Sequence, residues 1–361
     1  MVDCGLRWRS VARYAVDEYA LPQARALQPA REFERWPHVD ISVIIATRNR
    51  EAWLPTCLTH LEHQNLPAAQ FEVLVADCGS SDDTPSVVRR FAAGSPVRIR
   101  LVEAPGSGPA AARNRAAAHA EGRILLFLAD DELASPRLLW NHAEAQERRD
   151  ERGCITGVIH RHPQLPAASI TRLSLDEGES HGAYEAPFYL DAQESNLSIP
   201  QRLFDRFNGF SGESPYYLLE HIELAYRLYR EGVECGSIED ARSYVWQPVQ
   251  FQGERERHYQ LGYSLYHLLR LTGSKSILQR YRLRRSRIEL LAARFLMPHY
   301  LRACRRQEQE NMLFVGTLYR RILSHDRATG FEDARAGRPR RPAPAVELEP
   351  APRPAPLPSL Y

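Results

Sequence analysis

The strongest constraint on this chain is a series of short apolar runs, each ending in polar or acidic residues and followed by a helical pattern. The first run is ISVIIAT (Ile41 to Thr47), rich in β-branched residues, with Trp53, Leu54, Leu58 and Leu61 spaced after it as on one helix face. FEVLVAD (Phe71 to Asp77) comes next. Gly79-Ser80-Ser81-Asp82 then forms a turn and cap cluster before a helix through Val87, Val88 and Phe91. VRIRLVE (Val97 to Glu103) passes through a Gly/Pro loop into the Ala-rich stretch Ala110 to Ala120. RILLFLADDE (Arg123 to Glu132) runs straight into acids. This alternation predicts an α/β fold of Rossmann-like type: a mixed, mainly parallel sheet flanked by helices, its strands joined by right-handed crossovers.

Composition narrows the class further. Of 361 residues, 43% are hydrophobic and 25% charged, the balance of an ordinary globular protein. A formal net charge of +2 gives no field that would favour nucleic acid as a partner. Cys4, Cys57, Cys78, Cys154, Cys235 and Cys304 form no CxxC pair, which predicts reduced thiols and a cytoplasmic protein. Charge interrupts the N-terminal segment throughout, and no run approaches the ~18 apolar residues of a membrane span. The expected location is cytoplasmic, or peripheral at the inner face of the membrane.

Shifts in composition divide the chain into an N-terminal helical extension (1–38), the α/β domain (39–250), a basic amphipathic helical segment (251–330) and a Pro-rich tail expected to be disordered (331–361). In a parallel sheet, ligands gather at the carboxyl ends of the strands. Thr47-Arg48-Asn49-Arg50 closes the first strand here, Asp77 the second, and Asp130, Asp131 and Glu132 the fourth. A carboxylate can accept hydrogen bonds from a ribose or base, and paired acids can hold Mg²⁺ or Mn²⁺ against a diphosphate. Each acid taken singly suits a turn or helix cap equally well; their recurrence at successive strand ends favours a ligand site.

Four segments, SVIIATRNR, VLVADCGSSDDT, GSGPAAARNRAAAHAEGRILLFLADDE and NLSI…LFDRFNGF…EHIELAYRLYREG, together resemble family 2-type glycosyltransferases of the A-type (GT-A) fold, in order and over about 205 residues. The resemblance implies sugar transfer from a nucleotide-sugar donor to an acceptor hydroxyl with inversion, assisted by a divalent metal (Mn or Mg). It implies that Thr47, Arg48, Asn49, Asp77, Ser80, Arg113 and Asp130 hold the nucleotide and that Asp131 binds the metal. It also places Asn196, Ser198 and Trp246 on the acceptor side, and the catalytic base at the start of the EHIELAYRL helix. The implied acceptor is a glycan or a lipid-linked species.

Two departures bear on the chemistry. The family's Asp-x-Asp reads Ala129-Asp130-Asp131, so that only its second acid, Asp131, is kept. Where the family has Glu-Asp, with the Asp as base, this chain has Glu220-His221. Either His221 or Glu220 is then the expected base, since a histidine with an ordinary pKa near ~6.5 is neutral at pH 7. A chain that keeps the fold and the nucleotide pocket but has lost catalysis is the alternative that these departures leave open.

Other motifs are weaker. Gly106-Ser107-Gly108-Pro109-Ala110-Ala111 follows the third strand rather than the first, and Pro109 removes a donor amide, which argues against a dinucleotide site. His160 and His162 lack a third metal ligand nearby. In the basic segment, arginines alternate with apolar residues; this suits helices packed on the domain, peripheral contact with an anionic membrane surface, or RNA.

Overall fold

The structure, a computed structural model, describes residues 39–162, 194–212, 216–247, 251–281, 283, 295–302 and 315–340. The expected extension over 1–38, the loop Pro163 to Pro187 and most of the Pro-rich tail lie outside the described residues.

Eight strands form one sheet in the order β3-β2-β1-β4-β7-β6-β8-β5. Strands β1 (Ile41–Thr47), β2 (Phe71–Asp77), β3 (Arg98–Glu103) and β4 (Ile124–Leu128) are mutually parallel. They are joined by α1 (Leu54–Glu62), α2 (Thr84–Gly94) and α3 (Pro109–Ala117). Beyond β4, β7 (Leu197–Pro200) runs antiparallel and pairs with β6 (Cys154–Arg161), which runs parallel to β8 (Cys235–Val245). The short β5 (Glu132–Ala134) closes the edge antiparallel to β8. The expected mixed, mainly parallel α/β sheet is therefore present, and its antiparallel half is confined to the side beyond β4.

Helices cover both faces of β1, β2 and β4, which explains why their sequences are continuously apolar rather than alternating. Ile41, Val43, Ile45, Val73, Val75, Leu126 and Leu128 point to one face, against Leu54, Leu58 and Leu61 of α1 and Leu138 and Leu139 of α4 (Leu138–Arg148). Ile44, Leu74, Leu125 and Phe127 point to the other, against the alanines of α3 and Phe204, Phe210, Leu224 and Leu228. Leu203 and Phe204 come from α5 (Gln201–Arg206), and Leu224 and Leu228 from α6 (Glu220–Arg230). Burying each such side chain contributes about 1.5–3 kcal/mol.

The basic segment folds against the domain. Leu265 and Leu268 of α7 (Phe251–Thr272) and Ile277 of α8 (Ser276–Arg280) bury with Leu219, Ile222 and Ala225 around α6. A second long helix, Val315–Arg335, crosses α7 at two glycines. A Cβ on Gly262 would lie 1.8 Å from the Arg327 carbonyl oxygen, and one on Gly330 would lie 2.0 Å from that of Tyr259. The helix runs past the boundary expected at residue 330, because Asp333 is buried and accepts hydrogen bonds from the Tyr259 hydroxyl (3.1 Å) and Arg338 (2.7 Å). Among the described residues no helix is long and apolar enough to cross a membrane.

The expectation of reduced thiols fails at one pair. Cys154 and Cys235, 81 residues apart, lie opposite each other on β6 and β8 with Cα atoms 4.4 Å apart and form a disulfide. Sheet pairing creates this proximity, so no local spacing could reveal it. Cys57 and Cys78 are free and buried.

Candidate active site at the carboxyl ends of the strands

Strands β1, β2 and β4 end side by side, with Thr47 opposite Asp77 and the Ala129–Asp131 turn next to them. The two loops after β1 and β2 are sewn together. The Asn49 N–H donates to Ser80 Oγ (2.9 Å), and Asn49 Oδ1 accepts from the Ser81 N–H (2.8 Å). Asn49 adopts φ 56°, a left-handed conformation that asparagine tolerates better than most residues. Asp77 is buried and accepts from the backbone N–H groups of Gly79 (3.2 Å) and Ser80 (3.1 Å) and from the Ser80 hydroxyl. It therefore shapes its own turn, whatever it does for a ligand. Arg48 is exposed beside these loops.

The acids after β4 have three different environments. Asp130 Oδ2 accepts from Thr47 Oγ1 (2.9 Å) and Arg50 Nε (3.2 Å), so its charge is already compensated. Asp131 takes no side-chain hydrogen bond from another residue among those described. Burial, and then its neighbour Asp130, push its carboxyl up to about 6. Glu132 turns inward, where burial pushes it up to about 7, and accepts from Ser195 Oγ.

A second group of side chains is brought to this edge by tertiary packing. Leu218 adopts φ 69°, a costly conformation for a bulky residue, just before α6. The N–H groups of Leu218 and Glu220 hydrogen-bond the Glu220 carboxylate. Burial nevertheless pushes Glu220 up to about 7, with Glu194 adding to the rise. Next to it, His221 is buried with no partner on Nδ1, and burial lowers its pKa to about 4. The charge of Arg113, on α3, acts on Glu220 and His221 and also on Glu132 and Cys78 at the strand ends. Arg113 Nη1 lies 3.8 Å from Glu194 Oε1, and Arg257 Nη2 of α7 lies 3.8 Å from Glu194 Oε2. The Arg257 charge also acts on Asp131 and His221. Glu194 and Arg257 are absent from the residues that the sequence motifs pick out. Glu194 directly precedes the SNLSI segment, and Arg257 is one basic residue among many in its helix.

Three residues expected on the acceptor side lie elsewhere. Asn196 and Ser198 are fully buried behind β7. Asn196 Nδ2 donates to the Ala241 carbonyl (2.9 Å), and its Oδ1 pairs with His142 Nε2 (2.8 Å). Ser198 Oγ meets His142 Nδ1 (2.9 Å) and Gln146 Nε2 (3.1 Å). With His142 held neutral by burial, at about 4, this network ties β7, β8 and α4 together and presents nothing to solvent. The Trp246 ring is buried with Trp53, Cys57 and Leu133, and its backbone N–H donates to the Asp131 carbonyl (2.9 Å). It supports the acidic turn from behind. The His160 ring lies tilted against Tyr244, and His162 meets both Tyr244 and Trp246 edge-on, the latter at 4.5 Å between ring centroids.

No cluster of three His, Cys, Asp or Glu able to cage a metal occurs among the described residues. The donor set does fit a cation shared with a ligand. Mg²⁺ and Mn²⁺ commonly take one or two carboxylates and complete their shell with phosphate and water. Asp131, which accepts no side-chain hydrogen bond from another described residue and is raised by burial and then by its neighbour Asp130, is the carboxylate placed for that.

Residues 42–189 match the family model described as glycosyl transferase family 2. Validoxylamine A glucosyltransferase of Streptomyces hygroscopicus subsp. limoneus is 30% identical over 219 residues, covering 54% of this chain and 48% of the relative. The poly(ribitol-phosphate) beta-N-acetylglucosaminyltransferase TarS of Staphylococcus aureus (strain Mu50 / ATCC 700699) is 33% identical over 98 residues, covering 27% of this chain and 17% of TarS. The chain thus spans about half the length, or less, of these curated relatives. Among solved structures, the mannosyltransferase PcManGT from Pyrobaculum calidifontis, in complex with GDP-Man and Mn²⁺, superposes with a TM-score of 0.56 at 19% identity, over 84% of this chain and 88% of PcManGT. That likeness bears on the fold alone. Residues 42–189 are thus similar to glycosyl transferase family 2, and the sheet that carries them has the A-type architecture.

Proposed function

We propose that the chain transfers a sugar from a nucleoside-diphosphate donor to an acceptor hydroxyl with inversion. The observation that carries this reading is the meeting, at one sheet edge, of an unpaired strand-end carboxylate (Asp131), a carboxyl raised to about 7 (Glu220) and a buried guanidinium (Arg113). The loops at Thr47, Arg48, Asn49, Asp77 and Ser80 form the floor on which the nucleoside rests, with Asp130 fixing Thr47. Asp131 holds the divalent cation, which when bound neutralises charge on the departing diphosphate. Glu220, whose pKa lies near working pH, takes the acceptor proton as the hydroxyl attacks the anomeric carbon; His221 at about 4 is too weak a base for that step. The naming of the relatives as glucosyl- and N-acetylglucosaminyltransferases supports a hexose donor, and PcManGT's bound GDP-Man and Mn²⁺ support a nucleotide-sugar and a divalent ion. A glycan or lipid-linked acceptor agrees with the basic helices. Exposed Phe295 and Leu296, in the same helical stretch as Arg302, support peripheral contact with a membrane.

Ala129, where the resembled motif has an acid, favours a second reading, a domain that binds nucleotide without turning it over. Calorimetry with a panel of nucleotide sugars with and without Mn²⁺, followed by assay of nucleoside-diphosphate release, separates the two. Release from one donor supports the transferase; metal-dependent binding without release from any donor supports the second reading.

A further inference from the structure

Arg113 and Arg257 each approach a different oxygen of one carboxylate, Glu194, and neither satisfies its donors there. Each guanidinium carries five N–H donors. At 3.8 Å, both contacts with Glu194 are ion pairs without a hydrogen bond, and neither arginine donates a hydrogen bond to any other described residue. The Arg113 side chain is only 9% exposed and its buried Nε has no partner, whereas Arg257 is 52% exposed. A buried, unpaired guanidinium is expensive unless an anion completes its bonding. Burial raises the Glu194 carboxyl, and the two arginines more than reverse the effect, leaving it below the ordinary range and charged.

We propose that Arg113 and Arg257 form a clamp for the diphosphate of the donor and of the nucleoside-diphosphate product, and that Glu194 is an internal counter-ion occupying the clamp until the diphosphate arrives. The ligand class is fixed by the chemistry. Two planar guanidiniums, each next to a different oxygen of a single carboxylate, match an anion with oxygens on two linked phosphorus centres. Arg257 also acts on Asp131, so the clamp and the metal-binding carboxylate address the same group from two sides. Neutralisation of the leaving group is thereby shared between the cation and the C-terminal helical segment, which offsets the absence of an acid at Ala129. Donor binding then displaces Glu194, whose carboxylate swings toward solvent and is replaced by stronger charge-assisted bonds. This assignment rests on the proposed transferase reading for its substrate, but its test does not need turnover.

The test is titration calorimetry of the full chain with inorganic pyrophosphate, in EDTA and then in Mn²⁺, with orthophosphate, UDP and GDP as further arms. In EDTA the wild type is expected to bind pyrophosphate more tightly than orthophosphate. Arg257→Ala weakens pyrophosphate by about tenfold to a hundredfold, the worth of one or two charge-assisted hydrogen bonds. Arg257→Lys retains part of the affinity. Glu194→Gln strengthens binding severalfold, because the competing charge is gone. Opposite signs for the arginine and glutamate variants cannot come from a general loss of packing, and Glu194→Gln remains informative if Arg257→Ala folds poorly. Equal affinity in wild type and Arg257→Ala, weaker binding by Glu194→Gln, or no metal-free binding at all overturns the clamp. If Arg257→Ala binds pyrophosphate normally and still transfers sugar, the clamp falls and the transferase stands. If binding depends on Arg257 but no donor is ever turned over, the transferase falls and the clamp stands.

Discussion

Replacing Glu220 by Gln removes a base candidate whose pKa sits near neutrality while keeping its size and most of its hydrogen-bonding capacity. Burial places Glu220 at about 7 and His221 at about 4, so the two base candidates predict different pH profiles. With Glu220 as base, kcat/KM falls about tenfold per pH unit below 7, and at pH 6 only about one tenth of the sites carry the ionised carboxylate. With His221 as base, the imidazole is neutral from pH 5 to 8 and contributes no break near 7. Glu220→Gln is expected to reduce kcat/KM by about 10²–10⁴, the usual contribution of a general base, with donor affinity nearly unchanged. Stability moves the other way. A carboxyl raised in the folded state contributes its stability below its unfolded value and loses it as pH rises through the folded one. Between 4.5 and about 7 the loss has a ceiling of roughly 3 kcal/mol, lessened by partial exposure. The Gln variant is therefore less active yet has a higher Tm than wild type at pH 8. Measured pH profiles of product release and thermal melts at pH 5 and pH 8 check both. A variant with full activity, or a wild-type profile without a break near 7, refutes the assignment of Glu220.

Asp131→Asn is expected to abolish the Mn²⁺ dependence of nucleotide binding in calorimetry while circular dichroism is unchanged, because its carboxylate accepts no side-chain hydrogen bond from another described residue. Asp130→Asn keeps the metal dependence but loosens the Thr47 and Arg50 contacts, with a fall in nucleotide affinity of about tenfold. Gly262→Ala forces a methyl into the Arg327 carbonyl at the α7 crossing, and lowers stability by several kcal/mol in urea melts. Cys235→Ser opens a loop whose ends are 81 residues apart. By loop-closure entropy it costs up to about 4 kcal/mol, and the same loss appears when wild type is melted in reductant.

The parallel half of the sheet was legible because Ile41 to Thr47, Phe71 to Asp77 and Ile124 to Leu128 are buried on both faces, and such strands must be continuously apolar. The acids were legible as a group, since strand ends are predictable once strands are. Their individual roles were not. Whether a carboxylate is paired, as Asp130 is with Thr47 and Arg50, or turned inward, as Glu132 is, depends on residues far away in sequence. Asn196 and Ser198 were misplaced for the same reason: proximity to a motif says nothing about which side of β7 a side chain takes, and both turn to His142 and Gln146. Reading His221 as a base assumed an ordinary pKa, which burial removes. Arg257 reaches the site because α7 packs on α6 through Leu265 and Leu268, a tertiary fact with no local signature. The Cys154–Cys235 bridge is likewise a product of pairing between β6 and β8, and it removes the basis in free thiols on which the cytoplasmic expectation partly rested.

The central claim is that this sheet edge breaks the bond between a sugar and a nucleoside diphosphate. Its most direct test is to incubate wild type and Asp131→Ala with a panel of nucleotide sugars in Mn²⁺ and to follow the free nucleoside diphosphate over time by chromatography. The account predicts that at least one donor releases its diphosphate with wild type, that added acceptor accelerates the release, and that Asp131→Ala shows none. Donors that raise the Tm of wild type yet stay intact, or release that is equal in both proteins, would contradict it.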